Sequence, residues 1–562
     1  MEEKLWHRSY APGIKKALDY EKLTISEALT RSAKNFPNHT ALNYMGKKIA
    51  YEELNDLVNR FARALSDLGI RPGDKVAVCL PNIPQVIITN LAILRIGAVA
   101  VQNNPLYTER ELEYQLNDSD SKMVVTLALL IPRMQKIKPK TKVEKIIGCH
   151  INTYLPFPKK QLFPFVKKDM YRKVETTEEI MVFSDLIGKH GPDPVDEAGK
   201  WDELAALLYT GGTTGVSKGV MLSHANLSSN AQQFAAWFPD IKPGEERLMG
   251  NFPVFHIAGF AAIQNFIIWQ GWEDIMVPRP EPKINIELIK KCKPTFLPGV
   301  PTIFVGLLSD PDFKKLDFSA MKGFFSGAAP LAADTIKDLK DLTGATMCEV
   351  YGSTETTAVA TITPWGGTIK PGTVGIPVAD TDVKIVEIEN PENELETGKE
   401  GEIAIKGPQI MMGYYKKPEE TEQALKDGWF LTGDIGIFDE EGYLRIVDRK
   451  KDMIIAGGYN IYPVELDDVL MGHPKILEAC TIGIPHEYRG ETVKAFIVVK
   501  DGEELTEEDV SNYCKDNLAA YKVPKIIEFI DELPKSAVGK ILRRKLKDME
   551  MEKVVKQKEA TS

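Results

Sequence analysis

Tyr209-Thr210-Gly211-Gly212-Thr213-Thr214-Gly215-Val216-Ser217-Lys218-Gly219 follows an apolar run, Leu204 to Leu208, and precedes Val220-Met221-Leu222. Four glycines, three threonines and a serine in eleven residues rule out a helix or a packed strand interior. The apolar run has the length of a buried strand, so the Gly/Thr stretch is the loop that leaves it. Glycines let backbone N–H groups turn toward an anion, and the hydroxyls add further donors and acceptors. The order differs from a Walker A loop, which ends in Gly-Lys-Ser/Thr, because here Lys218 precedes Gly219. On this loop alone, a phosphate cradle and an ordinary Gly/Thr hairpin turn both remain open.

Working outward, buried strand and helix alternate. Thr24-Ile25-Ser26-Glu27 reads as a capping box opening a helix through Ala33. Leu54, Leu57, Val58, Phe61, Leu65 and Leu68 recur at helical spacing, and Gly69 is a stop signal. After the Pro72-Gly73 turn, Val76 to Leu80 is an unbroken apolar run suited to a strand buried on both faces. A further helical pattern to Gly97 leads into Ala98-Val99-Ala100-Val101. This alternation predicts an α/β fold. The region from Gly367 to Gly407, with Val383 to Val386 and Glu402 to Ile405, reads as a small β-subdomain. The last part of the chain, with a strand at Val493 to Val499, a cap at Thr506-Glu507-Glu508-Asp509 and a strand at Ile526 to Ile530, reads as a small α+β domain. The charged tail from Asp548 is expected to fray.

At 562 residues the chain is too long for one core. A net charge of −10 argues against a general nucleic-acid binder. Cys79, Cys149, Cys292, Cys348, Cys480 and Cys514 lie far apart with no metal-ligand spacing, which predicts reduced core thiols, no structural zinc and a cytoplasmic setting. No apolar leader or membrane-length run is present, so a soluble protein is expected.

Residues 151–175 break the alternation. Leu155-Pro156-Phe157-Pro158 and Leu162-Phe163-Pro164-Phe165-Val166 interleave with Lys159, Lys160, Lys167 and Lys168. Prolines at this density are expected to preclude a regular helix or central strand. One reading is a surface excursion whose apolar side chains pack on the domain below. The other is a basic-aromatic patch that rests on anionic lipid as a weak peripheral membrane contact. The first is preferred here.

Several motifs then occur in a fixed order. After the Gly/Thr loop come Pro253-Val254-Phe255-His256-Ile257-Ala258-Gly259, Ser326-Gly327-Ala328-Ala329-Pro330-Leu331 and Tyr351-Gly352-Ser353-Thr354-Glu355. Next are Gly372-Thr373-Val374-Gly375-Ile376-Pro377, Gly428-Trp429-Phe430-Leu431-Thr432-Gly433-Asp434 and Asp448-Arg449-Lys450-Lys451-Asp452. Gly457-Gly458-Tyr459-Asn460-Ile461-Tyr462-Pro463 and Pro534-Lys535-Ser536-Ala537-Val538-Gly539-Lys540 close the series. In this order they resemble the AMP-forming adenylate-forming superfamily: acyl-CoA synthetases, luciferases and peptide-synthetase adenylation domains.

The resemblance implies two half-reactions. A carboxylate attacks the α-phosphate of ATP and releases pyrophosphate, and a thiol, usually coenzyme A, then displaces AMP. It also implies roles. Thr210, Gly211, Gly212, Thr213, Thr214, Gly215 and Lys218 would hold the β- and γ-phosphates, and Glu355 with Thr354 would organise Mg²⁺. Gly327, Ala328, Ala329, Pro330, Tyr351, Gly352 and Ser353 would form the adenine side of the nucleotide site. Asp434 and Arg449 would bind the ribose hydroxyls, and Lys540 would bridge the acyl carboxylate and the α-phosphate. His256 would gate the acyl and thiol passages, Gly457 and Gly458 would line the coenzyme A tunnel, and Lys451 would be the hinge. The implied domains are 1–447, a hinge at 448–452, and a mobile module at 453–562 carrying Lys540.

Within the superfamily, Trp6 to Ile14 and the Leu155–Phe165 segment look like long-chain fatty-acid–CoA ligases, which makes a fatty acid the expected substrate. The apolar stretch after His256 (Phe260, Ala261, Ala262, Ile263, Phe266, Ile267, Ile268, Trp269) suits a hydrocarbon pocket or, equally, a buried helix. An aryl or medium-chain acid stays open, as does a homodimer. A fatty acyl-AMP ligase typically has an insertion near the hinge, and none is evident. A peptide-synthetase module would continue into a carrier domain, whereas the chain stops soon after Lys540. A non-catalytic nucleotide binder would have little use for Lys540, Glu355 and Asp434 together.

Overall fold

In the computed structural model the described residues are 3–210, 217–327, 329, 331–456, 459–486, 490–518, 520–536 and 539–561, with backbone alone for 459, 460, 490 and 554–561. They divide into two compact units, one of 1–382 with 405–430 and the other of 383–404 with 431–562.

The first unit holds two large sheets. In one, Thr346–Tyr351, Gly323–Ser326, Phe296–Gly299, Arg247–Gly250, Glu273–Met276 and Thr40–Tyr44 run parallel in that order. In the other, Leu204–Thr210, Val99–Gln102, Lys75–Cys79, Met123–Leu127, Lys145–Cys149 and Ile180–Val182 are parallel neighbours. Parallel strands need crossovers, and helices such as Pro84–Arg95, buried at every position, supply them. The apolar runs are strands because both faces are covered: Val76 to Cys79 are fully buried. The predicted capping box is present, with Thr24 accepting from the Glu27 N–H of the helix Ile25–Asn35. All six cysteines are free, and all but Cys292 are buried.

The second unit contains most of a small sheet, with Asp382–Val386, Gly401–Lys406, Trp429–Phe438 and Leu444–Arg449, and an α+β module. In the module Ile476–His486 and Gly490–Val499 form a long antiparallel pair, and Ile526–Phe529 lies parallel to the latter. The tail does not fray as expected. The helix Arg543–Thr561 continues through it, because Lys494, nearly buried, pairs with Glu528 at 2.6 Å and with Glu550 on this helix at 2.7 Å.

The proline-rich segment also departs from expectation: Lys159–Val166 is an α-helix with Pro164 inside it. Pro164 has no N–H for the Lys160 carbonyl one turn back. The Asn152 side chain donates to that carbonyl instead, at 2.9 Å, so the helix carries no orphaned acceptor there. Nor do its apolar side chains all pack inward. Leu155 is buried and Phe163 packs on the core, whereas Phe157, Leu162, Phe165 and Val166 face solvent. Among the described residues no helix is long and apolar enough to cross a membrane.

Candidate active site

In the first unit, Thr210 ends a strand and Gly327, Glu355 and His256 follow the carboxyl ends of others, where open α/β sheets bind ligands. Leu204–Thr210 pairs antiparallel with Lys218–Ser223, Thr210 opposite Lys218, so the strands on either side of the Gly/Thr stretch are neighbours in the sheet. Residues 211–216 themselves lie outside the described set. The ammonium of Lys218 sits 4.1 Å from the ring centre of Tyr414, a cation–π contact that fixes a long side chain at the loop's root.

Glu355 lies in the 3-10 turn Thr354–Thr356 directly after the strand Thr346–Tyr351. Its carboxylate accepts from the Tyr414 hydroxyl at 2.9 Å. One tyrosine therefore touches both Lys218, expected to hold phosphate, and the carboxylate expected to face Mg²⁺. Backbone strain collects behind Glu355, with Thr357 at φ 53° and Ala358 at φ 86°. Thr357 is held there by donating to the Gln409 carbonyl at 2.6 Å. Gly352 is obligatory in this turn, since a Cβ would come within 2.0 Å of the Ala358 carbonyl oxygen. Thr354 is buried beside Glu355. Gly327 and the exposed Ala329 lie beyond the strand Gly323–Ser326; Ala328 and Pro330 lie outside the described residues.

His256 follows the strand Arg247–Gly250, and its Nδ1 accepts from the Ala258 N–H at 3.3 Å. That places the proton of the neutral ring on Nε2. A π-helix, Ala258–Asn265, begins two residues later, a rare form that occurs mostly at functional sites. The apolar stretch that follows is helical, with Phe260, Phe266, Ile267 and Ile268 almost wholly enclosed.

In the second unit, Asp434 and Arg449 are cross-strand partners, with Arg449 Nε 3.3 Å from Asp434 Oδ1. Opposite charges facing across a strand ladder hold each other in register. Gly433, at φ 71° within the strand Trp429–Phe438, precedes Asp434, and its N–H donates to Glu402 at 3.0 Å. Asp448 is buried, accepting from the Arg449 N–H at 2.6 Å and from the Val464 N–H at 2.8 Å, which caps the helix Pro463–Met471. It thus clasps the chain on either side of Lys451.

Lys540 is half-buried on a tight turn. Its carbonyl accepts from the Ser536 N–H at 2.8 Å and its N–H donates to the Ser536 hydroxyl at 3.2 Å. Arg543, three residues on, is ion-paired with the buried Asp467, which also takes two hydrogen bonds from Thr481. Burial first, and then the positive charge of Arg449, lower the Lys540 pKa to about 8, with Asp434 opposing. Lys540 therefore carries an ammonium at neutral pH that is lost within the mildly alkaline range.

The donor set suits a hard cation: Glu355 offers carboxylate oxygen and Thr354 a hydroxyl. Among the described residues no three His, Cys, Asp or Glu side chains gather to hold a metal, so the remaining ligands would be phosphate and water. Gly457 and Gly458 lie outside the described residues. Sequence reading missed Tyr414 and the Arg543–Asp467 pair, and placed Asp448 in the hinge without its capping role. Tyr414 carried no local signal, since Gly413-Tyr414-Tyr415 only continues the apolar run Ile410-Met411-Met412.

The AMP-binding enzyme family matches residues 29–415, and the AMP-binding enzyme C-terminal domain matches residues 465–540. The long-chain-fatty-acid–CoA ligase of Bacillus subtilis (strain 168) is 42% identical over 554 residues, covering 98% of this chain and 99% of that protein. The enzyme of that name from Escherichia coli O157:H7 is 37% identical, covering 97% and 98%. Among solved structures, ATP-bound MatB from Rhodopseudomonas palustris superposes with a TM-score of 0.83 at 31% identity, covering 94% of this chain and 99% of that one. Mycobacterium tuberculosis fatty acyl CoA synthetase gives 0.71 at 30% identity, covering 94% and 98%. Both matched regions fall in the order the sequence motifs take, and the chain belongs to the family of AMP-binding enzymes.

Proposed function

We propose that the protein is an ATP-dependent, AMP-forming ligase that joins a long-chain fatty acid to coenzyme A. What carries the reading is that relatives named for this activity match almost from end to end, while Lys218, Glu355, Asp434, Arg449 and Lys540 all stand in supported positions.

In the first half-reaction a carboxylate oxygen attacks the α-phosphorus and the bond to pyrophosphate breaks. The Thr210–Lys218 loop binds the departing phosphates, with Tyr414 steadying Lys218. Glu355 and Thr354 would hold Mg²⁺, which when bound supplies charge neutralisation on the phosphates. Asp434 accepts from the ribose hydroxyls, and Arg449 keeps it oriented. Gly327 to Pro330 and Tyr351 to Ser353 flank the adenine. Lys540 places an ammonium where two anions must meet, a transition-state contact worth about 3–4 kcal/mol. In the second half-reaction the sulfur of coenzyme A attacks the acyl carbon and AMP leaves. Rotation of 453–562 about a hinge at 448–452, centred on Lys451, would withdraw Lys540 and bring Gly457 and Gly458 to the thiol. His256 gates the acyl carboxylate. Reversible association with a membrane surface belongs to the same proposal, because a long-chain acid partitions into bilayers.

An aryl acid is the second reading, favoured by a probable 4-coumarate–CoA ligase of Dictyostelium discoideum that is 34% identical over 88% of this chain. The test is a panel of acids of graded chain length together with 4-coumarate, following pyrophosphate release and acyl-CoA formation. The highest kcat/KM should fall on long-chain acids. A preference for 4-coumarate, or pyrophosphate release without acyl-CoA, would overturn the proposal.

A further inference from the structure

We infer that the segment from Leu155 to Lys168 is a docking surface for an anionic lipid bilayer. It is built on a short helix anchored from behind. Leu155 is buried, Phe163 packs on the core of the first unit, and Asn152 ties down the Lys160 carbonyl. Against that fixed base, Phe157 is 84% exposed, Phe165 73%, Val166 70% and Leu162 52%. Leu162, Phe165 and Val166 are spaced at i, i+3 and i+4, so they form one outward stripe on the helix. The helix therefore presents an apolar stripe to solvent as well as one to the core.

Charge decides what covers this stripe. Between residues 155 and 173 there are six cations, Lys159, Lys160, Lys167, Lys168, Arg172 and Lys173, and one carboxylate, Asp169. All seven are exposed. The whole chain carries −10, so this is a local reversal of sign, complementary to an anionic plane. Four apolar side chains on about a dozen residues fall short of the roughly 20–30 residues a side that a stable protein interface uses. They match shallow insertion of aromatic rings at headgroup depth, with lysines reaching the lipid phosphates. A second copy of the chain is disfavoured for the same electrostatic reason, since two such patches repel. The inference extends the fatty-acid reading, yet it rests on the surface alone and is tested without substrate.

The experiment is flotation of the full-length protein with vesicles of phosphatidylcholine containing phosphatidylglycerol, and with vesicles of phosphatidylcholine alone. Wild type should float with the anionic vesicles at low salt and remain behind at high salt, because screening shortens the reach of the lysines. Exchanging Lys159, Lys160, Lys167 and Lys168 for Gln should lower partitioning more than about 100-fold. Phe157→Ser with Phe165→Ser should lower it as well while leaving the lysines in place. Both variants change exposed side chains, and unaltered adenylation of a water-soluble acid checks that they fold. No flotation of wild type, equal flotation on neutral vesicles, or variants that float like wild type would each overturn the docking surface. Failure of long-chain ligation in the acid panel, with flotation intact, would overturn the substrate reading instead.

Discussion

Lys540 should impose an alkaline limit on the first half-reaction and not on the second. Its pKa is lowered from 10.5 to about 8, first by burial and then by Arg449, with Asp434 pulling the other way. The useful form is the ammonium. Below the folded pKa that form dominates, and above it each pH unit removes the charge about tenfold further. In the free enzyme kcat/KM for pyrophosphate release should therefore be level toward neutrality and fall about tenfold per unit beyond roughly pH 8, since kcat/KM reports free-enzyme ionisations. Lys540→Arg keeps a cation that does not titrate in this range, so the variant should be slower, yet its alkaline limb should vanish. Lys540→Ala should lose about 10²–10³ in rate at every pH where wild type is charged. The second half-reaction supplies the contrast. Given preformed acyl-adenylate and coenzyme A, the rate should rise with pH as the thiol ionises, and Lys540→Ala should still form product. A level profile for adenylation to about pH 10, or an alkaline limb that persists in Lys540→Arg, would refute the assignment of that limb to Lys540.

Three further outcomes are expected. Lys451→Pro fixes φ at the hinge and should leave one half-reaction working, adenylation being the survivor; intact steady-state ligation would remove Lys451 as the pivot. Tyr414→Phe deletes the 2.9 Å hydrogen bond to Glu355 but keeps the ring under Lys218, and should slow adenylation about 10-fold to 100-fold, the loss of one charge-assisted bond. It should also shrink the thermal stabilisation by Mg-ATP more than that by ATP with chelator, whereas equal shifts would make Tyr414 a packing residue. Lys540→Met should raise the melting temperature at pH 7. The lowered folded pKa means that the charged form is disfavoured on folding at every pH below about 8, a cost relieved only as pH climbs toward the unfolded value. An unchanged or lower melting temperature would show that Lys540 is not strained.

How much of the molecule is legible before its fold is known depends on whether the signal is local. The buried parallel strands are legible because Val76 to Cys79 and Leu204 to Leu208 are continuous apolar runs, and a run needs no partner to be recognised. The capping boxes at Thr24 and Thr506 are legible for the same reason, as donor and acceptor lie three residues apart. The helix Lys159–Val166 defeats a local reading because its permission comes from outside it. Pro164 is unfavourable in any local account, and only Asn152, twelve residues upstream of it, supplies the hydrogen bond that offsets the lost one. The site divides along this line. Glu355 and Lys540 belong to compact motifs, whereas Tyr414 acts by reaching 59 residues back to Glu355, and Asp467 acts on the Lys540 turn by reaching 76 residues forward to Arg543. Such positioning residues have ordinary sequence surroundings. Their roles arise where strands from distant parts of the chain meet, as when Gly413–Tyr414 pairs with Lys218–Ser223. Compact motifs therefore reveal candidates such as Glu355 and Lys540, whereas the distant groups that orient them, Tyr414 and Asp467, are ones that only the fold supplies.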